Sequence, residues 1–190
     1  MPRQVNPEVE GRIIQAARKL WHKGGEKALN MRAVAEAAGT NTPAVYRRFR
    51  NREDILGALV QSYQKELLQS LAPCRSLSEI VESYLDFALG KPREYELIMS
   101  GLLARMSKTR PNVDFVADRI SGWLGGSADD HRALVFTLAS LAHGTAMLKI
   151  SGTIPDEDFP GVRASFTAAV KVLVANEEKL RSRNRAAKLG

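Results

Sequence analysis

The sequence predicts an all-α protein of about nine helices, and three observations carry that reading. Apolar residues recur at three- and four-residue spacing along most of the chain, the spacing of one helical face. Glycine- and proline-containing breaks such as Gly24-Gly25, Gly90-Lys91-Pro92 and Gly125-Gly126 punctuate these stretches. No segment alternates apolar and polar residues long enough for a strand, and there is no internal repeat or low-complexity tract.

The elements follow in order. Val9, Ile13, Ala16 or Ala17 and Leu20 make one stripe on a first helix, about Pro7 to Lys23, which Gly24-Gly25 ends. Asn30 caps a second helix with Met31, Val34, Ala35 and Ala38 facing inward, and Gly39 stops it after two turns. Thr42 and Pro43 read as N-cap and first position of a third helix reaching Phe49, with Val45 and Phe49 inward. Asn51 caps a fourth, through Ile55, Leu59, Tyr63 and Leu67, with Glu53 and Asp54 matching its N-terminal dipole. Pro73 breaks the pattern. Ser76 or Ser78 starts a fifth helix through Ala88; others span about 93–106, 113–123, 129–150 and 161–180.

Composition narrows the class. A single cysteine, Cys74, excludes an intramolecular disulfide and argues against a Cys-based zinc site. No secretory signal is visible, because the first apolar pattern carries charges throughout. The most apolar stretch, Ala133 to Leu148, reads as too short and too polar to span a membrane, and as a helix buried on several sides. The expectation is a cytoplasmic protein without a membrane segment.

The net charge of +7 is unevenly spread. Residues 1–54 hold eleven Lys or Arg against six Asp or Glu, residues 55–178 twelve against fifteen, and residues 179–190 five against none. Two basic ends around a slightly acidic middle are the footprint expected for a polyanionic partner. Three blocks follow: 7–69 as one domain, 76–180 as a second, and 181–190 as a basic tail.

Asn30 to Phe49 places two short helices around Gly39-Thr40-Asn41, the layout of a DNA-binding helix-turn-helix. In that unit the second helix leads into the major groove with its N-terminal residues. Val45 and Phe49 lock it to a scaffold, leaving Thr42, Pro43, Ala44, Tyr46, Arg47 and Arg48 for the groove and its walls. Arg47, Arg48, Arg50 and Arg52 put four guanidinium groups in six residues. Each suits a phosphate, and one or two suit guanine O6/N7. A solvated charge run is the competing reading; the turn length and the Val/Phe pair favour DNA.

The stretch GRIIQAARKLWHKGGEKALNMRAVAEAAGTNTPAVYRRFRNREDIL resembles the N-terminal domain of the tetracycline-repressor (TetR) family. The resemblance rests on Ala17 with Leu20-Trp21, Gly25, Val34-Ala35 with Ala38-Gly39, and Val45-Tyr46-Arg47-Arg48-Phe49 followed by Arg52-Glu53. It implies that Tyr46 sets its hydroxyl on a phosphate. It implies that Arg52, where the family usually has lysine, clamps a phosphate at the start of helix four. Thr40, Asn41 and Thr42 would approach the backbone or base edges. The DNA-binding set is then Asn30, Arg32, Thr40, Asn41, Thr42, Pro43, Tyr46, Arg47, Arg48 and Arg52.

The resemblance further implies a helical C-terminal domain that binds a small effector and dimerises through the helices at 129–150 and 161–180. YLDFALGKPREYELIM and LAHGTAMLKISG resemble one subgroup of such domains. Phe87, Met99, Leu102, Trp123, His143 and Met147 are the candidate pocket residues; ordinary core packing competes for each.

Nothing marks an enzyme. No P-loop, dinucleotide glycine pattern, HExxH or GxSxG is present. Glu94-Glu96 and Asp129-Asp130 read as solvated carboxylates. No catalytic residue, metal site or cofactor is expected. The function predicted is a ligand-responsive regulator, a repressor, binding a palindromic operator as a homodimer. The alternatives are a sequence-nonspecific basic DNA-binding protein and, behind it, a helical enzyme.

Overall fold

The structure is a computed structural model, and it describes residues 7–101 and 111–179. Among these residues every regular element is a helix: α1 (Pro7–Ala28), α2 (Met31–Ala37), α3 (Thr42–Tyr46), α4 (Arg52–Leu71), α5 (Leu77–Gly90), α6 (Pro92–Met99), α7 (Pro111–Leu124), α8 (Ala128–Ile150) and α9 (Phe159–Ala175). The all-α expectation holds. Helix three is shorter than the periodicity suggested, and the last helix starts at Phe159 rather than 161.

The chain packs as two compact units. Of the described residues, the first contains those up to 64 together with 93–101, and the second contains 65–92 and 111–179. α6 is therefore a member of the first unit, although sequence order alone places it inside the block 76–180.

The first unit is built on Ile13, Ala17 and Trp21 of α1, Val34 and Ala35 of α2, and Val45 with Phe49 around α3. Ile55, Leu59 and Tyr63 of α4 and Tyr95, Leu97 and Ile98 of α6 complete its core. α1 does not stop at the glycine pair. It runs on to Ala28 across a break at Gly25, whose φ of 58° and ψ of −141° suit a residue without a Cβ. Space is closed at Gly24 as well, where a Cβ would lie 2.8 Å from that of Ala28.

In the second unit α8 packs against α7, α5 and α9. Leu134, Val135, Leu138, Ala142 and Ala146 are buried, whereas Ala133, Phe136, Thr137, Ser140 and Leu148 on the opposite side are exposed. The expectation of burial on several sides is thus met on one side only. The helix also exceeds the apolar stretch read from sequence. Its charged ends extend it to 23 residues, so by length and composition alone it could cross a membrane. Its packed inner face and buried His131 fit a core helix of this unit instead.

Polar side chains pin the second unit together. Arg163 of α9 binds Glu82 at 3.1 Å and Asp86 at 2.7 Å on α5, with Thr167 donating to Glu82. Asp86 beside it raises the Arg163 guanidinium above its ordinary value. Arg119 of α7 donates to the carbonyls of Ala72 and Cys74, both at 2.6 Å, and lies against the Phe115 and Trp123 rings. Those carbonyls close the C-terminal end of α4, where a cation opposes the negative end of the helix dipole. Cys74 is buried, and burial pushes its thiol above the ordinary value.

Candidate nucleic-acid interface

The turn between α2 and α3 is set by a few local bonds. Gly39 takes φ of 62° and donates to Glu36 O at 3.1 Å, while Thr40 N donates to Ala35 O at 3.0 Å. This paired closure of a helix end needs a left-handed residue just past the cap, hence glycine. Asn30 caps α2 as its sequence suggested, its Oδ1 accepting from Ala33 N at 2.9 Å. α3 is capped one residue earlier than expected. Asn41 Oδ1 accepts from Ala44 N at 2.9 Å, so Thr42 is already helical and Pro43 occupies the second position. Asparagine outranks threonine as an N-cap, and the deletion of one N–H by Pro43 costs nothing in the first turn.

This local geometry divides α3 cleanly. Ala44, Val45 and Phe49 are buried. Pro43, Tyr46 and Arg47 are exposed, Thr42 is half-buried, and Tyr46 retains 53% of its surface. Thr40 is half-buried, and Asn41, Asn30 and Arg32 are exposed.

The four arginines separate into distinct roles. Arg48 turns back along its own helix, Nη1 donating to Ala44 O at 3.3 Å. Arg50 pairs with Asp54, Nε to Oδ2 at 3.1 Å, and Asp54 also accepts from Arg50 N at 2.9 Å. These bonds from Arg50 hold the Asp54 carboxyl below the usual carboxylate range. Arg52 turns inward: Nε donates to Leu29 O at 2.9 Å, and Nη2 donates to Glu26 O at 3.0 Å. Arg47 alone of the four has no hydrogen bond or ion pair among the described residues.

α6 adds contacts that no local pattern announced. Trp21 Nε1 donates to Arg93 O at 3.2 Å, Arg93 Nη1 donates to His22 O, and His22 Nδ1 lies 3.2 Å from Glu94 Oε1. Glu94 is buried, which corrects its reading as a solvated carboxylate; Glu96 is exposed. The residues sit 72 positions apart, so sequence spacing carried no signal of the pairing.

The pocket candidates fall in different places. Met99 belongs to the first unit and is partly exposed. In the second unit Phe87 is buried, His143 and Met147 are half-buried, and Trp123 is exposed beside Arg119. Leu102 lies outside the described residues. No group of three or more potential metal ligands occurs among the described residues.

A buried-scaffold helix with a polar and basic outer face, preceded by a glycine turn, defines a helix-turn-helix DNA-binding regulator. The comparisons agree. A family model described as "Bacterial regulatory proteins, tetR family" matches residues 13–59. Another, "Tetracyclin repressor-like, C-terminal domain", matches residues 77–173. The chain belongs to the TetR family. No curated protein matches it.

Among solved structures, the chain resembles a point variant of TetR from Acinetobacter baumannii AYE, in complex with minocycline. That pair shares 23% identity over 90% of this chain and 97% of that one, with a TM-score of 0.63. A TetR-family transcriptional regulator of Streptomyces coelicolor is 18% identical over 88% and 98%, with a TM-score of 0.62. The multidrug binding protein EbrR, complexed with imidazole, is 22% identical over 92% and 94%, with a TM-score of 0.60. These likenesses support the fold.

Proposed function

We propose that the protein is a ligand-responsive transcriptional repressor that binds a palindromic operator as a homodimer. The outward face of α3 carries the reading: Thr42, Pro43, Tyr46 and Arg47 are presented together, over a buried Ala44, Val45 and Phe49. Arg47, without a hydrogen-bond or ion-pair partner among the described residues, is the candidate base or phosphate contact; Tyr46, Thr40, Asn41 and Arg32 flank it. Arg48 and Arg52 are already engaged within the protein and contribute less directly.

The dimer is supported by one uncovered surface. Ala133, Phe136, Thr137, Ser140 and Leu148 form an exposed stripe along α8, and Ala164, Ala168, Val172 and Ala175 form another along α9. Two such stripes on helices that pack together suit a four-helix contact with a second copy. The effector is a small organic molecule received in the second unit near Phe87, His143 and Met147. Minocycline and imidazole, held by the Acinetobacter TetR variant and by EbrR, indicate the size class. Its differential affinity for two dispositions of the DNA-binding units supplies the energy of release.

Operator selection from random duplexes, followed by titration at physiological salt, tests the reading. A two-fold site bound at least about a thousandfold tighter than random DNA is expected. Equal affinity for unrelated duplexes would establish a nonspecific basic binder instead.

A further inference from the structure

We propose that Arg52 is a positioning residue of the recognition unit: its guanidinium fixes the α1–α2 turn against the start of α4, and it is not a phosphate ligand. The inference rests on reading α3 as the DNA-contacting helix.

Arg52 is the first residue of α4, the positive end of that helix, where a cation is disfavoured. Its side chain leaves that position for the end of α1. Nε reaches Leu29 O at 2.9 Å, and Nη2 reaches both Glu26 O and Glu26 Oε1 at 3.0 Å. The last carbonyls of a helix lack intrahelical partners and attract cations. Glu26 matches the guanidinium charge, so a phosphate would meet a cation that is already neutralised. Among the described residues only Nη1 is left without a partner.

The bonded carbonyls sit at a decisive place. Leu29 is buried, and the next residue, Asn30, is the N-cap of α2. Holding Leu29 O therefore holds the start of α2, and α2 packs on α3. A planar fork satisfies separate acceptors at fixed angles; a lysine ammonium supplies charge without that geometry. The substitution that keeps charge and loses the fork thus separates the two roles.

The test uses the full chain and its selected operator, with affinity measured against salt for the wild type, R52K and R52A. A positioning fork predicts R52K more than threefold weaker than wild type. It also predicts an unchanged salt slope for both variants. R52K within threefold of wild type would overturn the proposal. So would a slope shallower by about 0.9 in R52A, the value of one lost phosphate contact on B-DNA. Amide exchange in the absence of DNA supplies the independent reading. Faster exchange confined to the α1–α2 turn and Ala33–Val34 in R52K supports the fork, whereas uniform acceleration in both units assigns Arg52 a merely structural part and overturns it. If the wild type selects no operator, the DNA reading fails, and the exchange pattern still decides the fork.

Discussion

Nδ1 of His131 lies 3.0 Å from Oε1 of Glu177, and both side chains are buried. The other ring nitrogen, Nε2, is 2.8 Å from the carbonyl of Gly125. A carbonyl only accepts, so Nε2 carries a proton and Nδ1 is the atom left to Glu177. The Nδ1 contact lies at ion-pair distance but lacks the direction of a hydrogen bond. It ties the start of α8 to the residue two places beyond α9. Neither residue was singled out by sequence pattern.

Truncating either partner should therefore be costly. Breaking a buried pair leaves the survivor desolvated without that contact, at about 3–5 kcal/mol. H131A and E177A should each fall in this range by urea unfolding at fixed protein concentration. The double variant should lose clearly less than the two single losses together. Strict additivity would show that the two groups do not stabilise one another.

Arg47 and Arg50 differ by three positions and should differ sharply in effect. Among the described residues Arg47 has no hydrogen-bond or ion-pair partner, whereas Arg50 is committed to Asp54. R47A should lower operator affinity by about fivefold to 150-fold, the loss of about 1–3 kcal/mol expected if it reads a base. A uniform loss across sequences with a slope change near 0.9 would assign it to a phosphate. R50A should change affinity less than R47A. Equal losses would remove the distinction drawn from their partners.

Asn41 separates folding from binding. Its Oδ1 is spent on Ala44 N, while the residue itself is exposed at the leading end of α3. N41D keeps the capping acceptor and places a negative charge at a helix N-terminus, so stability should hold within about 0.5 kcal/mol. The same charge would face phosphates, so affinity for every duplex should fall. N41A should instead cost about 1 kcal/mol of stability. Undiminished DNA affinity in a folded N41D would place the start of α3 away from DNA.

The helices and the helix-turn-helix were legible because their determinants are local. Val45 and Phe49 are one turn apart, Asn30 precedes its helix, and Gly39 is demanded by a single backbone angle. What was not legible depends on distant partners. Arg48, Arg50 and Arg52 read as one basic run, and only their acceptors at Ala44, Asp54 and Leu29 distinguish them. α6 belongs by sequence order to the second block; its burial of Tyr95 and Glu94 within the first unit needs the folded chain. The long apolar helix α8 shows the same limit, since composition cannot say which face stays open.

That open face gives the last prediction. Phe136, Leu148 and Val172 keep 45%, 47% and 62% of their surface exposed on α8 and α9. Large apolar side chains so placed are normally covered by a partner. Replacing exposed residues perturbs the fold little, usually within about 0.5 kcal/mol. F136E and V172E together should thus yield a folded monomer by sedimentation, where the wild type is a dimer at micromolar concentration. A dimer binds both half-sites through one tethered event, with the second half meeting a high effective concentration. The double variant should therefore fall to half-site affinity on the complete operator, and keep wild-type contacts on an isolated half-site. A wild-type monomer, or a variant that remains dimeric, would move the self-association surface elsewhere and remove the geometric basis for a two-fold operator.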